Sequence, residues 1–197
     1  MNNTKLTRDD WINAAMMQLS TGGIDLVRVD SLAKKLEITR GSFYYHFGNR
    51  QDLLKAILDK WRLSATEAVI EGLNSRELTA QDRLLALMML PLRGGKSFDA
   101  ASVELSLRAW ARRDDMARSA VEEVDSYRIK YLEGIFLEMN HSASQSSDLS
   151  YLVYSYMMAT SILTTGNSRS DQADRAKRLT NFLADVCPIS ECQHRIA

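Results

Sequence analysis

The chain has 197 residues, 45% of them apolar and 25% charged, which is too apolar for disorder and ordinary for one or two folded domains. Its 25 Lys and Arg balance 25 Asp and Glu, which excludes a uniformly basic nucleic-acid coat but leaves room for a local basic face. Two prolines, nine glycines and two cysteines (Cys187 and Cys192) argue against a turn-rich β fold and a disulfide framework, and for an all-α protein of the reducing cytoplasm.

The opening MNNTKLTRDDW carries no apolar leader, and the densest apolar run, residues 84–92, is far short of the ~20 residues a membrane span needs. No secretion signal and no membrane association are therefore expected. The neutral total hides an asymmetry. Residues 1–62 hold ten Lys/Arg against seven Asp/Glu, an excess of +3 that the rest of the chain offsets.

Thr7-Arg8-Asp9-Asp10 has the form of a capping box, with Thr7 capping and Asp10 returning to its amide. The stripe Trp11, Ile12, Ala15, Met16, Leu19 then predicts a helix that Gly22-Gly23 ends. A short helix is expected over 29–36, burying Val29, Leu32, Ala33 and Leu36. Thr39 is a suitable N-cap for a third over 40–47, closed by Gly48-Asn49. A long fourth helix is expected from about 51 to 72, with Leu53, Leu54, Ile57, Leu58 and Trp61 on its apolar side.

Thr79 to Asp82 forms a second capping box, opening a helix that stops before Pro91. Residues 97–111 carry apolar side chains on two opposite sides, Leu105 and Ala109 against Val103, Leu107 and Trp110, which predicts a helix sandwiched between neighbours. Asp114 caps a long helix to about 139. Residues 142–147, SASQSS, are expected to be a solvated loop. Helices over about 148–165 and 171–186 complete an all-α chain of about nine helices.

Two short helices joined by a tight turn and braced by a third make a helix-turn-helix, which places its second helix in the major groove of DNA. At about 100° per residue, Phe43 and Phe47 share the inward side of the third helix, while Gly41, Ser42 and Tyr45 point away. Tyr44 and His46 lie on the flanks, and Arg40 stands at the helix start. Small residues permit close approach, and hydroxyl, imidazole and guanidinium groups can bond to base edges or phosphates.

On these residues the chain resembles the TetR family of transcriptional regulators. The resemblance covers residues 6–54: the stretch from Gly23-Ile24 to Val29, the frame Leu32-Ala33 to Leu36-Glu37-Ile38, then Thr39-Arg40-Gly41-Ser42-Phe43-Tyr44-Tyr45-His46-Phe47 and Asn49-Arg50-Gln51-Asp52-Leu53-Leu54. It implies DNA contacts from Thr39, Arg40, Ser42, Tyr44, Tyr45 and His46, with Tyr44 at a position that meets phosphate. Arg50 matches a phosphate-binding lysine, and Arg28 stands where the family often has a small hydroxyl residue near the backbone. Glu37 replaces the usual turn glycine, at a cost of about 1 kcal/mol if its φ is positive. Asp30 is a candidate substitute cap for the second helix.

The resemblance implies a helix-turn-helix domain over 1–50 and a helical ligand-binding and dimerisation domain over 51–197. It further implies a dimeric repressor on a palindromic operator in double-stranded DNA, released by a small hydrophobic or amphipathic ligand. The helices at 148–165 and 171–186 are apolar enough to join two copies as a four-helix interface. Met88, Met89, Trp110, Tyr127, Tyr131 and Met158 are candidate ligand contacts, because methionines and aromatics suit an adaptable pocket. Glu104/Arg108 and Asp125/Arg128 can pair within their helices. No cofactor is expected. Cys187, Cys192 and His194 are too few for a structural zinc site. No catalytic set is apparent, so an enzyme is not expected. The alternative is a DNA-binding architectural or cell-cycle factor of the same fold with no ligand.

Overall fold

A computed structural model describes residues 6–92, 96–163, 166 and 168–186, and side chains in all of these except 96–99. Cys187, Cys192 and His194 lie outside them. The described residues are helical with no strand: α1 Arg8–Gly22, α2 Val29–Lys35, α3 Arg40–His46, α4 Arg50–Arg62, α5 Ala68–Asn74, α6 Ala80–Met88, α7 Lys96–Ala111, α8 Asp115–Glu138, α9 Ala143–Ile162 and α10 Arg169–Ala184. None is long and apolar enough to cross a membrane.

The helix starts follow the capping chemistry. Thr7 accepts from the Asp10 amide (3.2 Å) while its own amide donates to the Asp10 carboxylate (2.7 Å). That backbone bond, aided by the Thr7 hydroxyl, holds the Asp10 carboxyl below the usual aspartate value. Ser168 and Asp171 repeat the arrangement at α10, and there the Ser168 hydroxyl is the main cause of a lowered Asp171 pKa. Both caps are complete when the carboxylates are ionised and are lost as acid titrates them.

Three expectations change. Residues 142–147 are the start of α9 rather than a loop. Ser142 and Gln145 form a capping box, with Gln145 and Ser146 buried, so small polar residues here cap a helix instead of solvating a coil. The fourth helix is not uniform, because a π-helical turn, Leu63–Glu67, separates α4 from α5. Finally, α7 buries Val103, Leu107 and Trp110 but leaves Leu105 and Ala109 exposed, so it packs on one side only.

The chain forms two compact units, and packing does not divide at residue 50. The first runs to Ala68 and takes in Asp99–Val124. Its core joins Trp11, Leu19, Leu32, Phe43, Phe47, Leu53, Ile57 and Trp61 to Val103, Leu107, Trp110 and Val121. The second comprises Val69–Phe98 with the chain from Asp125 onward. It packs Leu84, Leu87, Met88, Leu132, Ile135, Phe136, Leu149, Val153, Tyr154 and Ala176. There Thr180 on α10 reaches Met88 on α6 (Oγ1 to Sδ, 3.3 Å), and Arg83 pairs with Glu138.

Candidate nucleic-acid interface

The α2–α3 corner is built on backbone bonds. The Ile38 amide donates to the Ala33 carbonyl (3.0 Å) and the Glu37 amide to Lys34 (3.2 Å). This closure requires a left-handed residue, and Glu37 supplies it at φ 55°. The glutamate carries the strain of this backbone conformation. Glu37→Gly is expected to stabilise the protein by about 0.5–1 kcal/mol, as an increased urea midpoint.

Phe43 anchors α3. It is fully buried, meets Trp11 edge-on at 5.3 Å and stacks on Phe47 at 5.3 Å. This fixes which side of the seven-residue helix faces out. Tyr45 is 70% exposed and Tyr44 55%. Ser42 is half-buried, and Gly41 and Thr39 are exposed. Thr39 has the extended backbone of a cap, but its side chain makes no capping hydrogen bond. A Cβ on Gly41 would meet only the Thr39 hydroxyl, at 3.7 Å, so this part of the surface is flat and open.

The remaining candidates are held by the protein itself. His46 is half-buried with Nε2 3.0 Å from the Leu6 carbonyl, and its ring lies edge-on to Tyr45. A carbonyl can only accept, so Nε2 is the donor in this contact. Arg28 is exposed, and its Nε donates to the Asp25 carbonyl (2.9 Å). Asp25 also faces Arg113 at 3.8 Å. Arg50 points inward: Nε donates to Val27 (2.7 Å) and Nη2 to Ile24 (3.0 Å), tying down the segment that leads into α2. Arg40 pairs with Asp30 (Nε to Oδ1, 2.9 Å), both exposed. Asp30 therefore does not act as a substitute cap, and Arg28, the residue at the cap position of α2, makes no side-chain capping bond. Asp30 and Arg40 lie on different helices ten residues apart, so no periodic pattern announces the pair.

The ligand candidates separate. Met88 is buried in the second core, with Met89, Tyr131 and Met158 packed against it. Trp110 belongs to the first core and Tyr127 is exposed, so neither joins them. Two hydroxyl contacts within the second unit, one centred on Tyr154 and one between Tyr131 and Asn74, were not expected from the sequence. The Tyr154 hydroxyl donates to Asp125 (2.5 Å) and accepts from Arg128 (3.3 Å), and the Tyr131 hydroxyl donates to Asn74 (2.7 Å). Arg108 donates to Glu104 (2.8 Å) within α7, both mostly buried.

Residues 12–57 match the family described as bacterial regulatory proteins, tetR family. Over 54 residues the chain is 35% identical to the Transposon Tn10 TetC protein of Escherichia coli and 35% identical to the uncharacterised HTH-type transcriptional regulator TtgW of Pseudomonas putida. These matches take in 27% of this chain, and the chain spans 27% of the length of TetC and 40% of that of TtgW. The fold likeness extends further. The transcriptional regulator from Saccharomonospora viridis in complex with choline has a TM-score of 0.70 at 16% identity, covering 91% of this chain and 95% of that one. Reduced Escherichia coli NemR has 0.69 at 19%, covering 89% and 96%. A TetR-family regulator from Rhodococcus has 0.69 at 18%, covering 90% and 98%. A segment matched in sequence to the tetR family of bacterial regulatory proteins thus stands in a chain whose fold, over nearly its whole length, is similar to that of solved TetR-family regulators.

Proposed function

We propose that the protein is a homodimeric repressor that leaves a palindromic operator when a small amphipathic molecule binds its second unit. The observation that carries the reading is the two-sidedness of α3, with Phe43 sealed inward and Tyr45 standing 70% exposed. A bulky aromatic that touches His46 edge-on yet stays 70% exposed on a rigid helix keeps most of its apolar surface hydrated, which a groove partner explains. Two such helices, about 34–36 Å apart, meet successive major grooves on one side of the duplex. Arg40, Thr39, Ser42, Tyr44 and Tyr45 are the base and phosphate contacts in this reading. His46, Arg28 and Arg50 act first on the protein's own backbone.

Dimerisation is supported by α9 and α10, which leave Tyr151, Leu152 and Phe182 exposed, as are Ile162 and Leu163 at the end of α9. An apolar surface of this kind needs cover. The ligand reading rests on Met88, Met89, Met158 and Tyr131 gathering at one core, and on the bound choline of the Saccharomonospora viridis structure. The ligand must prefer the DNA-incompetent state, because equal affinity for both states shifts nothing. It acts by displacing α4, whose Leu53, Ile57 and Trp61 pack in the same core as Phe43, and so alters the spacing of the two α3 helices.

The test is titration of a duplex selected by the protein from a random pool. Two chains per duplex are expected. Tyr45→Ala should weaken binding by roughly 1–3 kcal/mol with the melting temperature unchanged. One chain per duplex overturns the dimer, and undiminished affinity of the Tyr45 variant overturns the assigned face.

A further inference from the structure

The Arg40–Asp30 pair has no evident structural purpose. Both side chains are mostly exposed, 62% and 70%, and an ion pair in water contributes little to stability. Asp30 also brings a negative charge to the surface that the preceding reading turns toward a polyanion, which costs affinity unless something is gained. The pair's location suggests the gain. Arg40 is the first residue of α3, and Asp30 lies in the first turn of α2. Ser31, next to Asp30, accepts a hydrogen bond from Gln18 on α1 (2.8 Å), and Arg50 ties down the segment just before α2. Asp30 is therefore mounted on a fixed support, and Arg40 is a long side chain with several free torsions.

We propose that Asp30 is a positioning residue for base readout, aiming Arg40 at a guanine. Its carboxylate sits beside Nε, the inner nitrogen of the guanidinium. The outer Nη1/Nη2 edge makes no hydrogen bond to the described residues, and that edge matches guanine O6 and N7 in two parallel bonds. Holding the inner end removes torsional freedom before DNA arrives, so less ordering is needed on binding. When the groove excludes water the attraction between the two charges strengthens. An arginine held in this way is also less free to turn to a phosphate, where it would carry no sequence information. Asp30 exchanges some general affinity for discrimination at one base pair of each half-site.

This inference rests on the proposal that α3 enters the major groove, and the experiment separates the two. The full-length protein and its Asp30→Ala, Asp30→Asn, Asp30→Glu and Arg40→Ala variants each select from a random duplex pool, and affinities are measured on the wild-type consensus and on duplexes with single base changes. The wild type should enrich a symmetric pair of guanines, and Arg40→Ala should lose preference at that pair alone. Asp30→Ala and Asp30→Asn should lower discrimination there by about tenfold, hold or raise affinity for random DNA, and keep the wild-type melting temperature. Asp30→Glu should recover part of the preference. Unchanged guanine preference in both Asp30→Ala and Asp30→Asn overturns the positioning role and leaves the groove reading intact. The same holds if selectivity falls equally at every position. Enrichment of no sequence by the wild type overturns the groove reading itself.

Discussion

Phe43→Ala is expected to remove roughly 3–5 kcal/mol of stability, and specific DNA binding with it. Phe43 is fully buried between Trp11 and Phe47, so truncation opens a cavity in a seven-residue helix that cannot close it by local collapse. Such a loss is a large share of the roughly 5–15 kcal/mol that typically holds a domain together. All three tryptophans of the chain, Trp11, Trp61 and Trp110, lie in this core, so tryptophan fluorescence during urea titration reports on this unit. A large fall in its midpoint is expected, against no change for Tyr45→Ala two residues on. An unchanged midpoint for the Phe43 variant would mean that α3 does not depend on this anchor.

Arg50→Ala is expected to destabilise the first unit by about 3 kcal/mol, from two charge-assisted hydrogen bonds to the carbonyls of the buried residues Ile24 and Val27. The family resemblance suggests a phosphate contact at this position. The structure instead shows the guanidinium spanning Ile24 and Val27 through two of its nitrogens. A phosphate role predicts weaker DNA binding at unaltered stability. The observed contacts predict lost stability in the absence of DNA, and Arg50→Lys should recover little of it, because a single ammonium lacks the fork that reaches both carbonyls. The urea midpoint of the DNA-free variant distinguishes the two roles.

The N-terminal helices were legible because short-range chemistry determines them. Thr7 and Asp10 close a capping box, Gly23 takes φ 75°, and aromatic spacing turns Phe43 in and Tyr45 out. Where the outcome depends on distant partners the pattern was silent. Nothing near Arg50 in sequence signals that its partners are carbonyls more than twenty residues away. Residues 142–147 misled because their composition is that of a loop, while one reciprocal pair, Ser142 and Gln145, decides for a helix. The two apolar sides of α7 suggested cover on both, yet Leu105 and Ala109 remain in water. Periodicity records which side chains are apolar and not whether a neighbour reaches them.

The π-helical turn at Leu63–Glu67 has an evolutionary consequence. Extended at helical spacing, the buried stripe of α4 ending at Trp61 would continue through positions 65, 69 and 72. Ala65 still packs on the first core, but the fully buried residues past Trp61 are Thr66, Ile70 and Leu73, each one place later than that spacing gives, as a one-residue bulge produces. Loss of one codon in this stretch would restore plain α-helix. The chain thus holds a position where its length can change by one residue without breaking the helix.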